Sequence, residues 1–260
     1  GTHYLNAYFR SGDQEVMTAD AILTQKNGRD SVEVNTTFEH FPLSLANAFM
    51  PDQVVAFTGD IDGGLYISGA MEKPKLSGDL SLDSVSVYAR QAGARYWFDN
   101  RPLKIENNQL IFNKFAIYTT SRNPFTIDGN VDFRNMENPT AKLNLRAQNY
   151  TLLDAPRTKE SMIYGKIFVD LNATVRGPLD GLTMRGNMNL LGNTDVTYVL
   201  TDSPLTVEDR LGELVTFTSF TDTTSVQATE VPTMSLGGMD MLMSVHIDDA
   251  VRLRADLSPD

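Results

Sequence analysis

Two segments of this sequence share the same unusual placing of glycines within an alternating pattern. The first runs from Gly59 to Leu82 (GDIDGGLYISGAMEKPKLSGDLSL), and the second, about a hundred residues later, from Gly165 to Leu190 (GKIFVDLNATVRGPLDGLTMRGNMNL). In each, apolar and polar residues alternate up to a glycine, a short turn with proline follows, and the alternation resumes. Because successive side chains of a strand point to opposite faces, this pattern predicts a repeated β-hairpin with one apolar face.

Alternation of this kind continues through most of the chain, with Asp, Asn, Lys, Arg, Ser and Thr between the apolar positions. A sheet with one apolar face and one polar, solvent-exposed face is typical of antiparallel or solenoid-like folds and not of a buried parallel sheet. No composition shift marks a linker, so we expect an all-β fold in which residues 1–260 form one continuous sheet assembly. Internal repeat units are predicted at about 59–150 and 165–260.

The apolar positions define what we call the groove face, the candidate binding surface. Its predicted members are Leu65, Ile67, Leu80, Leu82, Val87, Leu103, Ile105, Phe125, Ile127, Val131, Phe133, Leu143, Leu145, Ile167, Val169, Leu171, Met188, Leu190, Met241 and Met243.

The alternation changes phase between Leu82 and Val85 and again between Phe112 and Phe115, and each change predicts a bulge or a tight turn. One short helix is predicted over Pro42–Met50, two turns long at most and bracketed by prolines. Loops are expected over 154–164 and 221–238. Turns are predicted at Asp62-Gly63-Gly64, Asn107-Asn108, 135–139, Gly177-Pro178 and 202–204.

Charge and composition exclude several classes of function. A net charge of −11 argues against binding to nucleic acid and to anionic lipid head groups. The chain has no cysteine, which excludes disulfides and zinc–thiolate sites. No run of about 20 apolar residues is present that would span a membrane as a helix, and no signal peptide is visible.

Residues that usually carry catalysis are scattered or better explained otherwise. His246 occupies a polar position of a strand and is expected to face solvent. Asp60 and Asp62 are attributed to Asp-Gly turns rather than to an acid–base pair. The glycines from Gly59 to Gly78 lack the helix and lysine of a phosphate loop, and no serine lies in a nucleophile elbow. We therefore expect no enzyme, no cofactor and no metal site.

Two clusters have competing interpretations. Trp97 with Tyr96 and Phe98 is expected to form a packing corner at the sheet edge, although such rings also stack on bases or sugars. The second cluster is methionine-rich, and it either fills core space or offers a pliable surface to apolar guests. Its members are Met234, Met239, Met241 and Met243.

The order and recurrence of the motifs resemble the C-terminal domain of the TamB family, which belongs to the AsmA-like envelope proteins. The resemblance covers roughly Thr36 to Asp260. It rests on these segments: FPLSL at 41–45, GLYISGAMEKPKLSGDLSL at 64–82, LKI at 103–105 leading to QLIF at 109–112, FTIDGNV at 125–131, 165–190, PLTV at 204–207, and VHIDDAVRL at 245–253.

This resemblance implies an elongated antiparallel sheet curled into a half-pipe, or β-taco, with an apolar concave face. It further implies that the chain is a fragment of a longer periplasmic protein, anchored to the inner membrane by a segment N-terminal to it. An outer-membrane β-barrel protein of the TamA type is the implied partner. Two functions are associated with such proteins, namely phospholipid movement between membranes and assembly of outer-membrane proteins.

Four hypotheses follow. The first is a lipid conduit whose groove face holds acyl chains. The second is an assembly factor for outer-membrane β-barrel proteins or autotransporters that captures client strands by β-augmentation. The third is an ordinary β-sandwich, which the glycines on the apolar parity argue against, and the fourth is an outer-membrane barrel, which lacks aromatic girdles. Under the first, aspartate at Leu80, Ile127 or Val169 should block transport and leave the protein folded.

Overall fold

The structure, a computed structural model, describes residues 1–26, 28–49, 55–90, 92–158, 161–199, 234–236 and 239–256. These residues are nearly all β and form a single large curved sheet, which confirms the predicted fold class. The strands are β1 Thr2–Ser11, β2 Gln14–Lys26, β3 Arg29–Pro42, β4 Val55–Ala70, β5 Lys75–Ala89, β6 Ala94–Phe98, β7 Leu103–Glu106, β8 Gln109–Tyr118, β9 Phe125–Asp132, β10 Thr140–Ala155, β11 Ile163–Pro178, β12 Thr183–Leu190, β13 Asp195–Val199, β14 Met234–Leu236, β15 Met239–Ile247 and β16 Arg252–Asp256.

Neighbouring strands of the sheet follow chain order from β1 to β12, with short strands sharing a position. β6 and β7 both pair with β5 and act as two halves of one interrupted strand. β12 and β13 share β11 in the same way. Both predicted glycine-punctuated hairpins are present, as β4–β5 and β11–β12.

Two pairings depart from the antiparallel expectation. β15 pairs with β12 and β16 pairs with β13, both in parallel. Parallel neighbours need a crossover of a dozen or more residues, and the chain between β13 and β14 is long enough to supply one. Alternation within a strand is the same for both polarities, so it does not predict this parallel pairing.

The predicted helix is a 3-10 helix over Leu43–Phe49 instead of an α-helix. Asn47 explains its position, because its side-chain amide donates to the carbonyl of Phe57 at 2.9 Å and accepts from the Phe57 N–H at 2.7 Å. β3 pairs with β4 only as far as Asp60, so the Asn47 amide takes the place of a neighbouring strand at Phe57.

The turn and loop predictions hold in part. Asn107-Asn108, with φ of 50° and 61°, joins β7 to β8, and residues 135–139 lie where a turn was expected. Gly177-Pro178 instead end β11, and the turn follows at residues 179–180. The loop predicted over 154–164 is shorter, since β10 continues to Ala155 and β11 begins at Ile163. The turn at Asp62-Gly63-Gly64 is wrong, because these residues lie within β4. The loop predicted over 221–238 is wrong at Met234–Leu236, which form β14 and pair with β15. The rest of that loop and the turn predicted at 202–204 lie outside the described residues.

Candidate apolar groove

Cross-strand register shows which predicted groove residues share a face. Residues directly opposite in a ladder point to the same side of the sheet. Leu80 pairs with Leu103, and Ile127 with Leu145. Phe133 alone lies outside a strand, directly after β9, where its N–H donates to the Asn108 carbonyl at 2.7 Å. The other nineteen predicted residues fall on one face by the same register: Leu65, Ile67, Leu80, Leu82, Val87, Leu103, Ile105, Phe125, Ile127, Val131, Leu143, Leu145, Ile167, Val169, Leu171, Met188, Leu190, Met241 and Met243.

Burial of this groove face is incomplete. Of the twenty predicted residues, only Ile105 at 7% and Val169 at 2% exposure are buried, and the others are half-buried. From β4 to β12, the described strand positions on this face carry no charged side chain. Inward side chains of a two-layer fold would be buried throughout. The groove face is therefore apolar without being fully covered by a second layer.

Bulges bend several strands near their middle. The two predicted phase changes are confirmed as register shifts, with left-handed residues at Ser84 in β5 and Lys114 in β8. β3 and β10 carry further register shifts that the sequence analysis missed. A bulge bends the strand and increases its local twist. Three of these bulges share one arrangement, in which the left-handed residue donates its N–H to an aspartate of the next strand: His40 to Asp62 (2.8 Å), Lys114 to Asp128 (2.8 Å) and Asn149 to Asp170 (2.6 Å).

Aromatic rings on the groove face flank these bends. Phe38 and Phe41 meet edge to face across the bulge of β3, with centroids 5.7 Å apart. Phe112 and Phe115 repeat the contact across the bulge of β8 at 5.9 Å. Both pairs are three residues apart in sequence, which puts them on one face only when a bulge separates them. That spacing is the signal that would have added these rings to the predicted groove.

Tyr150 extends the aromatic series to β10. Its ring lies 5.9 Å from that of Phe125 and packs with Val169 in a buried cluster. Burial raises the pKa of the Tyr150 hydroxyl well above its usual range.

Part of the groove face is covered by the protein itself. The end of β6 meets the end of β10, although β8 and β9 lie between these two strands in the sheet. Ala94 packs there with Leu153 and Val196 in a buried cluster. The Tyr96 hydroxyl donates to the Leu152 carbonyl at 2.9 Å, and burial raises the pKa of Tyr96. The sheet curls tightly enough at this end to close over a small core.

Glycines on this face have a conformational role beyond keeping the apolar layer thin. At Gly63 (φ +124°) an added Cβ would lie 2.2 Å from the Asp79 carbonyl oxygen. At Gly129 (φ +128°) it would lie 2.1 Å from the Lys142 carbonyl oxygen. These positions therefore require glycine, because the adjacent backbone leaves no room for a side chain.

The remaining candidate residues divide between the two faces. Tyr96 and Phe98 pack on the groove face, whereas Trp97 is 40% exposed on the opposite, polar face. The prediction of one packing corner at the sheet edge is therefore wrong, because alternate strand residues point to opposite faces and β6 pairs with both β5 and β8. His246 is exposed, which confirms its prediction. Asp62 caps a bulge and is not part of a turn.

The methionine-rich segment reaches the groove face through β15. Met239, Met241 and Met243 are half-buried there, and the backbone of Met234 in β14 pairs with Met241. Half-burial is compatible with both interpretations of these methionines.

Comparison with known proteins gives one match. No helix among the described residues has the length and apolar character needed to cross a membrane. No curated protein and no solved structure matches the chain. The model of the TamB C-terminal domain family matches residues 113–258, a narrower span than the resemblance suggested. This family is a non-enzymatic assembly and transport module that works with outer-membrane partners. Because the match covers more than half of its residues, the chain belongs to the TamB family of cell-envelope proteins, which act in outer-membrane protein assembly and translocation.

Proposed function

We propose that this chain is a segment of a periplasmic lipid conduit that carries phospholipid acyl chains along its groove face between the inner and outer membranes. The observation that supports this best is the face itself. It is continuous across the register of the sheet, uncharged from β4 to β12 in the described strands, and only half-buried.

Energetics favour an acyl chain as occupant. Each methylene removed from water contributes about 0.8 kcal/mol, so a chain of ~14 methylenes recovers on the order of 11 kcal/mol. Apolar residues recur at every second position of each strand, so the gain is similar at successive places along the face. A lipid held in this way can slide without meeting a deep trap.

The aromatic rings at the bulges and the closed end of the sheet shape the path of the acyl chain along the groove face. Rings at the bulges, such as Phe38–Phe41 and Phe112–Phe115, offer broad apolar contact where the strands turn. At the meeting of β6 and β10 the protein covers its own face, so the acyl chain follows the open part of the sheet.

The proposal extends to the setting of the chain. It places the sheet in the periplasm as one assembly with repeat units at about 59–150 and 165–260. An N-terminal anchor outside this chain holds the protein at the inner membrane, and an outer-membrane β-barrel of the TamA type receives the other end. Membership of an envelope family with outer-membrane partners supports this arrangement.

A second candidate function is capture of a client strand. Among the described residues β1 pairs only with β2, so no strand from this part of the chain occupies its other edge. Tyr4, Leu5 and Tyr8 on β1 are 79%, 65% and 63% exposed. Unprotected edges of this kind add strands readily, which suits assembly of outer-membrane β-barrel proteins or autotransporters.

The test introduces one charge on each face of the same strand. Leu143→Asp puts a carboxylate on the groove face, and Asn144→Asp puts one on the polar face beside it. We expect purified Leu143→Asp protein to retain at least about tenfold less phospholipid than wild type, measured by mass spectrometry of organic extracts. Desolvating a carboxylate costs more than the ~1.4 kcal/mol that a factor of ten represents.

Asn144→Asp is the matched control and should retain lipid like wild type. Equal lipid in both variants, with unchanged circular dichroism, would overturn the conduit. Preferential binding of outer-membrane strand peptides over lipid would favour strand capture instead. Leu80 and Ile127 are half-buried and suit the same test. Val169 does not, because at 2% exposure an aspartate there is expected to unfold the protein, contrary to the sequence-based expectation.

A further inference from the structure

The polar face of the sheet bears a concave depression of about 610 Å³, spread over β9–β12 and the turn before β9. This volume falls within the range of small-molecule sites. It lies on the side of the sheet opposite the groove face. Its polar lining includes Thr126, Arg146, Gln148, Asp170, Asn172, Asn187 and Asn189, and the groove-face residue Leu171 borders it as well.

Register aligns the polar lining in rows across the strands. Thr126 pairs with Arg146, Arg146 with Asn172, and Asn172 with Asn187, so one row crosses four strands. A second row pairs Asp170 with Asn189. Adjacent strands are about 4.8 Å apart, so each row presents a polar group at that interval.

Most of these polar side chains have no partner within the protein. Arg146, Gln148, Asn172, Asn187 and Asn189 make no side-chain hydrogen bond and no ion pair with any described residue. All five are exposed. Their donors and acceptors are therefore available to a ligand without breaking an internal contact.

We propose that this depression binds a neutral linear oligosaccharide. Each amide offers two donors and an acceptor, which matches sugar hydroxyls that both donate and accept. The lining holds one guanidinium, of Arg146, and one carboxylate, of Asp170, so in a chain of net charge −11 it offers no excess of positive charge for a phosphate or nucleic-acid ligand. Rows that repeat at strand spacing fit a ligand that itself repeats.

The polar side chains of this site lie on the face opposite the groove face, so substituting them leaves the side chains of the proposed conduit in place. Substitutions in the depression should leave lipid retention unchanged. Failure of one proposal therefore leaves the other intact.

Titration calorimetry of the full chain with chitohexaose and cellohexaose tests the site. We expect binding by wild type and at least about tenfold weaker binding by the double variant Asn172→Ala/Asn187→Ala, which removes two adjacent amides of the first row. Asn35→Ala is the matched control: an exposed asparagine without a partner on the same face of β3. It should bind like wild type.

Vesicles containing a galactolipid form a second arm that separates a free glycan from a lipid head group. Binding of the soluble hexasaccharides supports the free glycan, and binding of the vesicles alone assigns the same sugar chemistry to a head group. The proposal is overturned if neither probe binds, if the double variant binds as wild type does, or if heparin alone binds, since that would indicate a response to charge.

Discussion

Gly129 and Gly63 occupy groove positions where the backbone leaves no choice of residue. Their φ values of +128° and +124° lie in a region that favours glycine, and a Cβ at either would meet a carbonyl oxygen of the adjacent strand. We expect Gly129→Ala to lower the free energy of unfolding by at least about 2 kcal/mol, from backbone strain and displacement of β10. Urea unfolding monitored by circular dichroism measures the change.

Gly181 provides the control for this substitution. It lies in the turn between β11 and β12, its φ is not positive, and an added Cβ would make only an ordinary contact with Pro178 at 3.6 Å. Gly181→Ala should change the free energy of unfolding by less than about 0.5 kcal/mol. Similar losses for both variants would show that the strand glycines are not specifically required.

The alternation of residues predicted well which face of the sheet each side chain occupies, but it predicted only some of the bulges that bend the strands. Alternation alone assigned Leu80, Ile127 and Leu171 to the face on which register now puts them. It did not reveal that Asp62 caps a bulge, since a polar residue mid-strand looks the same whether its side chain meets solvent or a neighbouring N–H. Hydrogen bonds of this kind depend on the register between strands, which a single sequence does not specify.

At the scale of elements, the aspartate-capped bulges hold the strands in their bent form. The Asp128 carboxylate accepts the N–H of Lys114 at 2.8 Å, where the strand ladder is interrupted. We expect Asp128→Ala to reduce the free energy of unfolding by about 1–2 kcal/mol, because the charge-assisted bond is lost and the N–H is left without its acceptor. Thermal and urea unfolding would both report the loss.

Asp79 is the matched control for the cap. It is an exposed aspartate within β5 whose side chain has no hydrogen bond or ion pair with any described residue. Asp79→Ala should be within about 0.5 kcal/mol of wild type. Equal effects of Asp128→Ala and Asp79→Ala would mean that the cap contributes nothing beyond a solvated charge.

The phase of the alternation explains which elements were predictable. Phase changes of the alternation at 82–85 and 112–115 predicted two bulges. The sequence shows the same phase change between Phe38 and Phe41 and between Ala147 and Tyr150, where bulges were not predicted but are present. The parallel pairing of β15 with β12 had no such signal. An alternating strand reads alike in both orientations, so only the path of the connecting chain decides between them.

At the scale of the whole molecule, alternation says which face is apolar but not how tightly the sheet curls. The contact of β6 with β10 arises because the ladder between them is short at that end, where β9 begins only at Phe125. An ideal Cβ on Gly93 would lie 3.6 Å from the Ala155 Cβ, within the range that a disulfide requires. Gly93 has a φ of +60°, so a cysteine there also bears the cost of a left-handed backbone, about 1–2 kcal/mol. The chain contains no cysteine that would compete.

We therefore expect Gly93→Cys/Ala155→Cys to form an intramolecular disulfide on mild oxidation, detected by peptide mapping and by faster migration without reductant. Gly93→Cys/Ala141→Cys is the control, since Ala141 lies about 45 Å from Ala155 along β10 and should not cross-link. Because the bridge fastens a contact that already covers its own apolar surface, the oxidised protein should still retain phospholipid on the open part of the face. Failure of the first pair to cross-link would show that the sheet is not curled at this end, and loss of lipid on oxidation would show that the acyl path runs through the curl.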